Sequence, residues 1–320
     1  MKACVDIGGT KVAVSLVHND APQQLGHRRA EPTAKTGAND ALARQVIRMV
    51  EEACAEAGVD ASAIQTVGVS SCGPFVINAG QIELAAPNIC GGLAGPERGL
   101  PNDWQVALRE APLRARFGAV RVENDCVAAL EAERRWGALQ GFDHCAYVTW
   151  STGIGMGLCV DGRVLRGKNG NAGHGGHMFV SDDPSDALCG CGNVGDVEAL
   201  VAGNAITRRF GPQAGPAGMG AGWAGAAELL AAARQGDEAA LAVVDDLCRV
   251  LGRALYNLVV LLDLQRISLG GSVFWHHRDF LLPRLQAQVS GHFPALTQGV
   301  LLVPAGLGNT VGDYAALALA

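Results

Sequence analysis

The chain has 320 residues, 49% of them apolar, with 31 acidic against 25 basic side chains and a net charge of −6. That length can bury a core large enough for two lobes, and the lack of any basic run excludes a nucleic-acid backbone as the main partner, since phosphates need clustered Lys and Arg. The apolar stretch Leu255–Leu262 is flanked by Arg253 and Asp263 and is too short for a membrane helix, the N-terminus lacks the apolar run of a secretory signal, and most of the ten cysteines stand alone in apolar runs, such as Cys4, Cys145 and Cys159; the expectation is a cytoplasmic α/β protein that meets no membrane.

Residues 2–18 read as two strands around a glycine turn, and Leu42, Val46, Met49, Val50 and Ala53 recur at helical spacing over 39–57. A buried strand follows from Thr66 to Ser70, ending at Ser71. A helix is predicted over 103–116, a strand over 119–123 running into Asn124 and Asp125, and a helix from there to about Gln140. The pattern then restarts. Residues 145–150 form a strand, Ser151–Gly155 a glycine turn, and 156–160 a second strand closed by an Asp161–Gly162 hairpin turn. Residues 197–209 and 224–262 are largely helical, separated by a glycine- and proline-rich loop over 211–225. A strand over 265–269 opens onto Gly270, Gly271 and Ser272; residues 301–303 and a helix from about Thr310 complete the chain. Strand, glycine turn and strand thus occur twice, which predicts two related lobes, each offering a backbone loop to one shared ligand.

A glycine pair between strands exposes backbone N–H groups, and concave sets of N–H groups bind anions. In the first turn Gly8 and Gly9 supply that shape, Thr10 a hydroxyl and Lys11 a charge, while Asp6 offers oxygen to Mg²⁺. Ser151, Thr152 and Gly153 make a second cradle; Gly270 and Gly271, where a strand meets a helix, could lie under a nucleotide base. Together the three turns favour a nucleotide site over ordinary hairpins. Asp125 follows a strand and opens a helix, where α/β chemistry collects. A carboxylate there can take a proton from an attacking hydroxyl, with Asn124 orienting that hydroxyl, although Asp and Asn also serve as plain helix caps. His174 and His177 sit in a glycine-rich loop and read as polar ligands, to sugar hydroxyls or to a metal. Cys189, Cys191, Asp196 and Glu198 follow closely; imidazole, thiolate and carboxylate are groups that Zn²⁺ accepts, against the alternative of two free thiols on a turn.

These residues resemble the ROK family of sugar kinases and related repressors over nearly the whole chain. The resemblance is carried by the Asp6–Lys11 turn, Asn124 with Asp125, Ser151–Gly155, Gly176 with His177, Cys189–Gly195, and Leu269–Ser272, in the family's order. It implies a two-lobed α/β actin-like, ribonuclease-H-like ATPase fold with a cleft between the lobes. The N-terminal lobe would span 1–124, with a C-terminal helix at about 304–320 packing back on it; 125–303 would form the second lobe, carrying the sugar loop and zinc motif. It implies ATP and Mg²⁺ as cofactors, Asp125 as catalytic base, and a sugar held by Asn88, Asn124, His177 and Glu198; His174 is expected against the same sugar. It also makes His177 a zinc ligand beside Cys189 and Cys191, with Asp196 at the remaining position, and predicts a homodimer whose partners are otherwise ATP and a small sugar.

Two positions depart from the family pattern. His174 stands where Glu is usual, as it does in the bacterial N-acetylmannosamine kinases, whose loop is similar to Ala172–His177; the stretch Pro87–Leu93 is similar to theirs too. Asp196 stands where the family has its third zinc cysteine, and the His177–Cys189 spacing is slightly longer than usual. The expected reaction is phosphorylation of O6 of N-acetylmannosamine, with a glucokinase or fructokinase activity as the alternative and a non-catalytic sugar sensor behind both. A repressor would need a helix-turn-helix segment before the first glycine turn, for which the seven residues before Gly8 leave no room.

Overall fold

Apolar residues on both sides of the first glycine turn build an antiparallel hairpin, β1 (Lys2–Ile7) and β2 (Lys11–Val17). The computed structural model describes residues 1–19, 23–95, 99–107, 109–183, 187–212 and 222–320. Most of the 211–225 stretch therefore lies outside the described residues. The chain divides into two compact units: 1–132 with 166–172 and 310–320, and 133–165 with 173–309.

In the first unit the hairpin is extended by β3 (Leu25–Pro32), antiparallel to β2. The helix α1 (Ala41–Glu56) turns Leu42, Val46, Met49, Val50 and Ala53 inward, as their spacing predicts. Two parallel strands complete the sheet, β4 (Thr66–Ser71) beside β1 and β7 (Val120–Asn124) beside β4, for the order β3-β2-β1-β4-β7. Between them lies a small hairpin, β5 (Phe75–Asn78) and β6 (Gln81–Leu84), whose turn holds Ala79 and Gly80 at positive φ. Next come the short α2 (Gly91–Ala94) and α3 (Glu110–Phe117). The predicted helix over 103–116 thus starts later. Asn102 accepts the Gly91 and Trp104 amides and donates to Lys35 and Ile89, so side-chain bonds that mostly reach distant backbone replace the first helical turns. Asp125 opens α4 (Asp125–Trp136).

The C-terminal helix Val311–Leu319 packs on β1 and β4. Its backbone comes so close that a Cβ on Gly68 would stand 2.2 Å from the Ala316 carbonyl oxygen. Gly68→Ala is therefore expected to lower the unfolding free energy by about 1–3 kcal/mol, as overpacking does. Urea denaturation checks this; an unchanged midpoint would mean the helix can lift off without cost.

The second unit repeats the strand order. β8 (Cys145–Trp150) and β9 (Ile154–Val160) form the second glycine-turn hairpin, β10 (Arg163–Val164) extends it, and β11 (Arg266–Gly270) and β12 (Leu301–Pro304) add in parallel, giving β10-β9-β8-β11-β12. The predicted helix over 197–209 is two, α5 (Val197–Val201) and α6 (Gly203–Phe210), broken where Ala202 is extended. The predicted 224–262 stretch is α7 (Ala226–Arg234) and α8 (Glu238–Leu262), separated by Gly236 at φ +90° and restarted by Asp237, which caps Ala240. α9 (Ser272–Trp275), α10 (Arg278–Ser290) and α11 (Pro294–Thr297) follow. Apolar side chains of α8, α10 and the sheet form this unit's core. Among the described residues no helix is long and apolar enough to cross a membrane.

Candidate active site

In the first unit, strand register gathers the polar residues. Ile7, Ser71 and Asn124 lie in one row across β1, β4 and β7, with Asp6 one residue behind on β1 and Asp125 one residue beyond on α4. Parallel strands end together here, so their carboxyl ends present one polar edge. Asp125 is half-buried; its Oδ1 accepts the Cys126 amide at 2.9 Å, and the Asn124 side chain also bonds it. Asn124 Oδ1 accepts the same amide at 3.0 Å. Asn124, two residues before that amide, therefore makes the capping bond, and its side chain also steadies the Asp125 carboxylate. Burial raises the Asp125 carboxyl above its ordinary range.

Asp6 is perturbed as well. Burial, followed by the charges of Asp125 and Asp313, pushes its carboxyl up to about 7. Asp313 belongs to the C-terminal helix and pairs with Arg28 at 3.3 Å. A carboxylate pressed by two others fits a divalent cation, whose charge would reverse the repulsion and whose preferred donor is oxygen.

The Gly8–Lys11 turn is closed by the Gly8 amide on the Lys11 carbonyl at 2.8 Å, so Gly8 shapes the turn and spends its own N–H inside it. Thr33 holds the turn from β3's end, its hydroxyl on the Gly8 carbonyl at 2.7 Å and its amide on the Thr10 carbonyl at 3.1 Å. Nothing local in the sequence marks Thr33 for that task. Thr10 and Lys11 are exposed. Asn88, also exposed, lies over Gly9, where a Cβ would sit 2.2 Å from its Nδ2. Sequence reading also missed Arg109, which is fully buried, donates to the Ser71 hydroxyl and stacks 4.6 Å over Phe75.

In the second unit, the Ser151–Gly153 turn is held from two sides. The first amides of α6 reach back to it, Gly203 to the Ser151 carbonyl at 2.8 Å and Asn204 to the Thr152 carbonyl at 3.3 Å. Glu198 of α5 accepts the Ile154 amide at 3.0 Å, and a Cβ on Gly153 would lie 2.7 Å from the same Oε2. Gly271, at φ +91°, leaves no room for a side chain against the Trp150 carbonyl. Gly270 is as tight against Tyr147, so the third glycine turn lies on the end of β8.

The histidine loop lies flat on β9. Cβ atoms at Gly173, Gly175 and Gly176 would strike Met156 or Ile154, and Gly173 accepts the Met156 amide at 3.0 Å. This fixes His174 and His177 with ring centroids 6.2 Å apart. His174 Nε2 is buried without a partner among the described residues, and burial, then the neighbouring His177, lowers its pKa.

His177, Cys189, Cys191 and Asp196 bring four ligand atoms within 4.8 Å of one another. His177 uses Nδ1 towards the cluster, 3.3 Å from Asp196 Oδ2 and 3.7 Å from the Cys189 sulfur, which leaves Nε2 for another partner. Burial raises the Cys189 thiol, an effect a metal would reverse. Two thiolates, an imidazole and a carboxylate fit Zn²⁺.

The ROK family matches residues 2–320. The chain belongs to the ROK family. It is 31% identical over 272 residues to the N-acetylmannosamine kinase of Pasteurella multocida, covering 84% of this chain and 80% of that one. It is 29% identical over 334 residues to the glucokinase of Aeropyrum pernix, covering 99% and 95%. The ROK hexokinase structure from Thermus thermophilus is similar with a TM-score of 0.75 and 30% identity, over 100% of this chain and 97% of that one. The mixed α/β architecture is the actin-like ATPase fold of the ROK sugar kinases, and the repeated strand order is its expression here.

Proposed function

We propose that this ROK-family chain is an ATP-dependent sugar kinase that transfers the γ-phosphoryl group to the C6 hydroxyl of N-acetylmannosamine. The Gly8–Lys11 and Ser151–Gly153 turns take the ATP phosphates, and Gly270 and Gly271 face the base. Asp6 holds Mg²⁺, which supplies charge neutralisation on the phosphates when bound. Asn88, His174, His177 and Glu198 hold the sugar, while Asn124 fixes Asp125. Asp125 accepts the proton of the C6 hydroxyl as its oxygen bonds to the γ-phosphorus; the bond from that phosphorus to the β–γ bridging oxygen breaks and ADP leaves. His177, Cys189, Cys191 and Asp196 hold zinc, which fixes the loop carrying both histidines.

The observation that carries the substrate assignment is the unpartnered, buried His174 Nε2. A carboxylate at this position accepts hydrogen bonds only, whereas a neutral imidazole can donate one. An acetamido carbonyl needs a donor; the hydroxyl of an unsubstituted hexose can satisfy a carboxylate. The similarity to the glucokinase of Aeropyrum pernix, which spans nearly the whole chain, supports glucose as the second reading.

Coupled ADP-release kinetics with N-acetylmannosamine, N-acetylglucosamine, glucose and fructose separate the two. N-acetylmannosamine is expected to give the highest kcat/KM. His174→Glu should lower that value by about 10–100-fold and narrow the gap to glucose, the scale for a lost polar contact in a pocket built for it. A wild-type preference for glucose that the variant leaves unchanged would favour the second reading.

A further inference from the structure

Asp196 is fully buried, and its two carboxylate oxygens do different work. Oδ2 faces the ligand cluster, 3.3 Å from His177 Nδ1 and 3.4 Å from the Cys191 sulfur. Oδ1 accepts the Ala199 amide at 2.7 Å and so caps α5. Two residues along, Glu198 leaves the first turn of that helix and accepts the Ile154 amide, at the foot of the Ser151–Gly153 turn. α6 grips the other side of the turn directly after the Ala202 break. A contiguous path therefore runs from the ligand cluster through one carboxylate and one short helix to the glycine turn.

A cysteine, which the family resemblance implies at this position, supplies a stronger zinc donor but is not among the residues that cap helices well; aspartate and asparagine are. The departure at 196 exchanges donor strength for a cap. We propose that Asp196 is a positioning residue that serves the metal cluster and the phosphate turn at once, Oδ2 as ligand and Oδ1 as the cap that sets Glu198 against Ile154. The part concerning nucleotide rests on the reading that this turn takes ATP phosphates.

The two jobs come apart in two variants. Asp196→Cys keeps a metal donor and loses the cap. Asp196→Asn keeps a capping oxygen and loses the anionic ligand. Full-length proteins are compared by zinc content, by hydrogen exchange of the 152–154 amides, and by KM for ATP and for sugar. Asp196→Cys is expected to carry about one zinc per chain yet exchange these amides about five- to tenfold faster, the effect of losing a typical cap. Its KM for ATP should rise several-fold, and its KM for sugar should rise with it, because Glu198 is also one of the residues proposed to hold the sugar. Asp196→Asn should bind zinc at least about tenfold more weakly while exchange across the turn stays near wild type.

Wild-type exchange in zinc-loaded Asp196→Cys overturns the proposal, as does fast exchange in Asp196→Asn; the latter decides alone if the cysteine variant does not fold. A faster-exchanging turn with an unaltered KM for ATP would uphold the cap and instead refute the assignment of ATP to this turn.

Discussion

Asp125→Asn is expected to lower kcat by about 10²–10⁴-fold, the usual scale for losing a general base, with the dissociation constants for sugar and ATP within a few-fold of wild type. The replacement is nearly isosteric and keeps an oxygen for the Cys126 amide, so the start of α4 survives. Only the ability to accept the hydroxyl proton is lost. The pH profile gives a second reading of the same residue. A base must be deprotonated to work, and burial raises the Asp125 carboxyl. Wild-type kcat/KM should thus fall on the acid side at a pH above the ordinary carboxylate range, and the residual activity of the variant should lack the Asp125 limb. Steady-state kinetics with separate binding titrations check both; turnover close to wild type would remove Asp125 from the role.

Asp6→Asn should have opposite effects on stability and activity. Burial and the neighbouring carboxylates push the folded carboxyl up to about 7 from an ordinary 3.8. A group whose folded pKa is raised imposes no penalty below the unfolded pKa. The penalty grows as pH climbs from about 4 to about 7 and stays constant above that, because the unfolded chain releases its proton first. At 1.36 kcal/mol per pKa unit the ceiling is about 4 kcal/mol. Residual contact with water screens part of this, and about 2 kcal/mol is expected. Without added divalent ions, Asp6→Asn should therefore be more stable than wild type at pH 8 and nearly equal at pH 4. Its activity should drop by about 10–100-fold or more through weakened Mg²⁺ binding. Urea unfolding at the two pH values tests the first part; equal stability at pH 8 would show that Asp6 is not held under electrostatic strain.

The two glycine-turn hairpins were legible because strand burial writes itself locally, in short apolar runs bounded by glycine. The repeat of that unit announced two related sheets, and their common strand order bears this out. β3 was not legible. Its residues, Leu25–Pro32, mix charged and small side chains, and it is a strand because β2 offers it a partner. The late start of α3 and the break between α5 and α6 depend on tertiary bonds, the first on Asn102, the second on Gly203 and Asn204 reaching the 151–152 carbonyls.

The candidate site divides in the same way. Asp6, Asn124 and Asp125 could be picked out from their places at strand ends, and strand register brings them to one edge. His177, Cys189, Cys191 and Asp196 lie close enough in the chain for their spacing to speak, and their side chains do converge. Thr33, which supports the first turn, and Glu198 on the Ile154 amide carry no local signal of these contacts, because each bond joins residues far apart in sequence.

The central claim is that ATP and a sugar alcohol become ADP and a C6 phosphomonoester. Phosphorus NMR of the reaction with ATP, Mg²⁺ and N-acetylmannosamine, with proton–phosphorus correlation to locate the ester, tests it most directly. The expected spectrum gains one phosphomonoester coupled to the C6 protons, in step with ADP. ATP consumed to ADP and free phosphate alone, or an ester on another carbon, would contradict it.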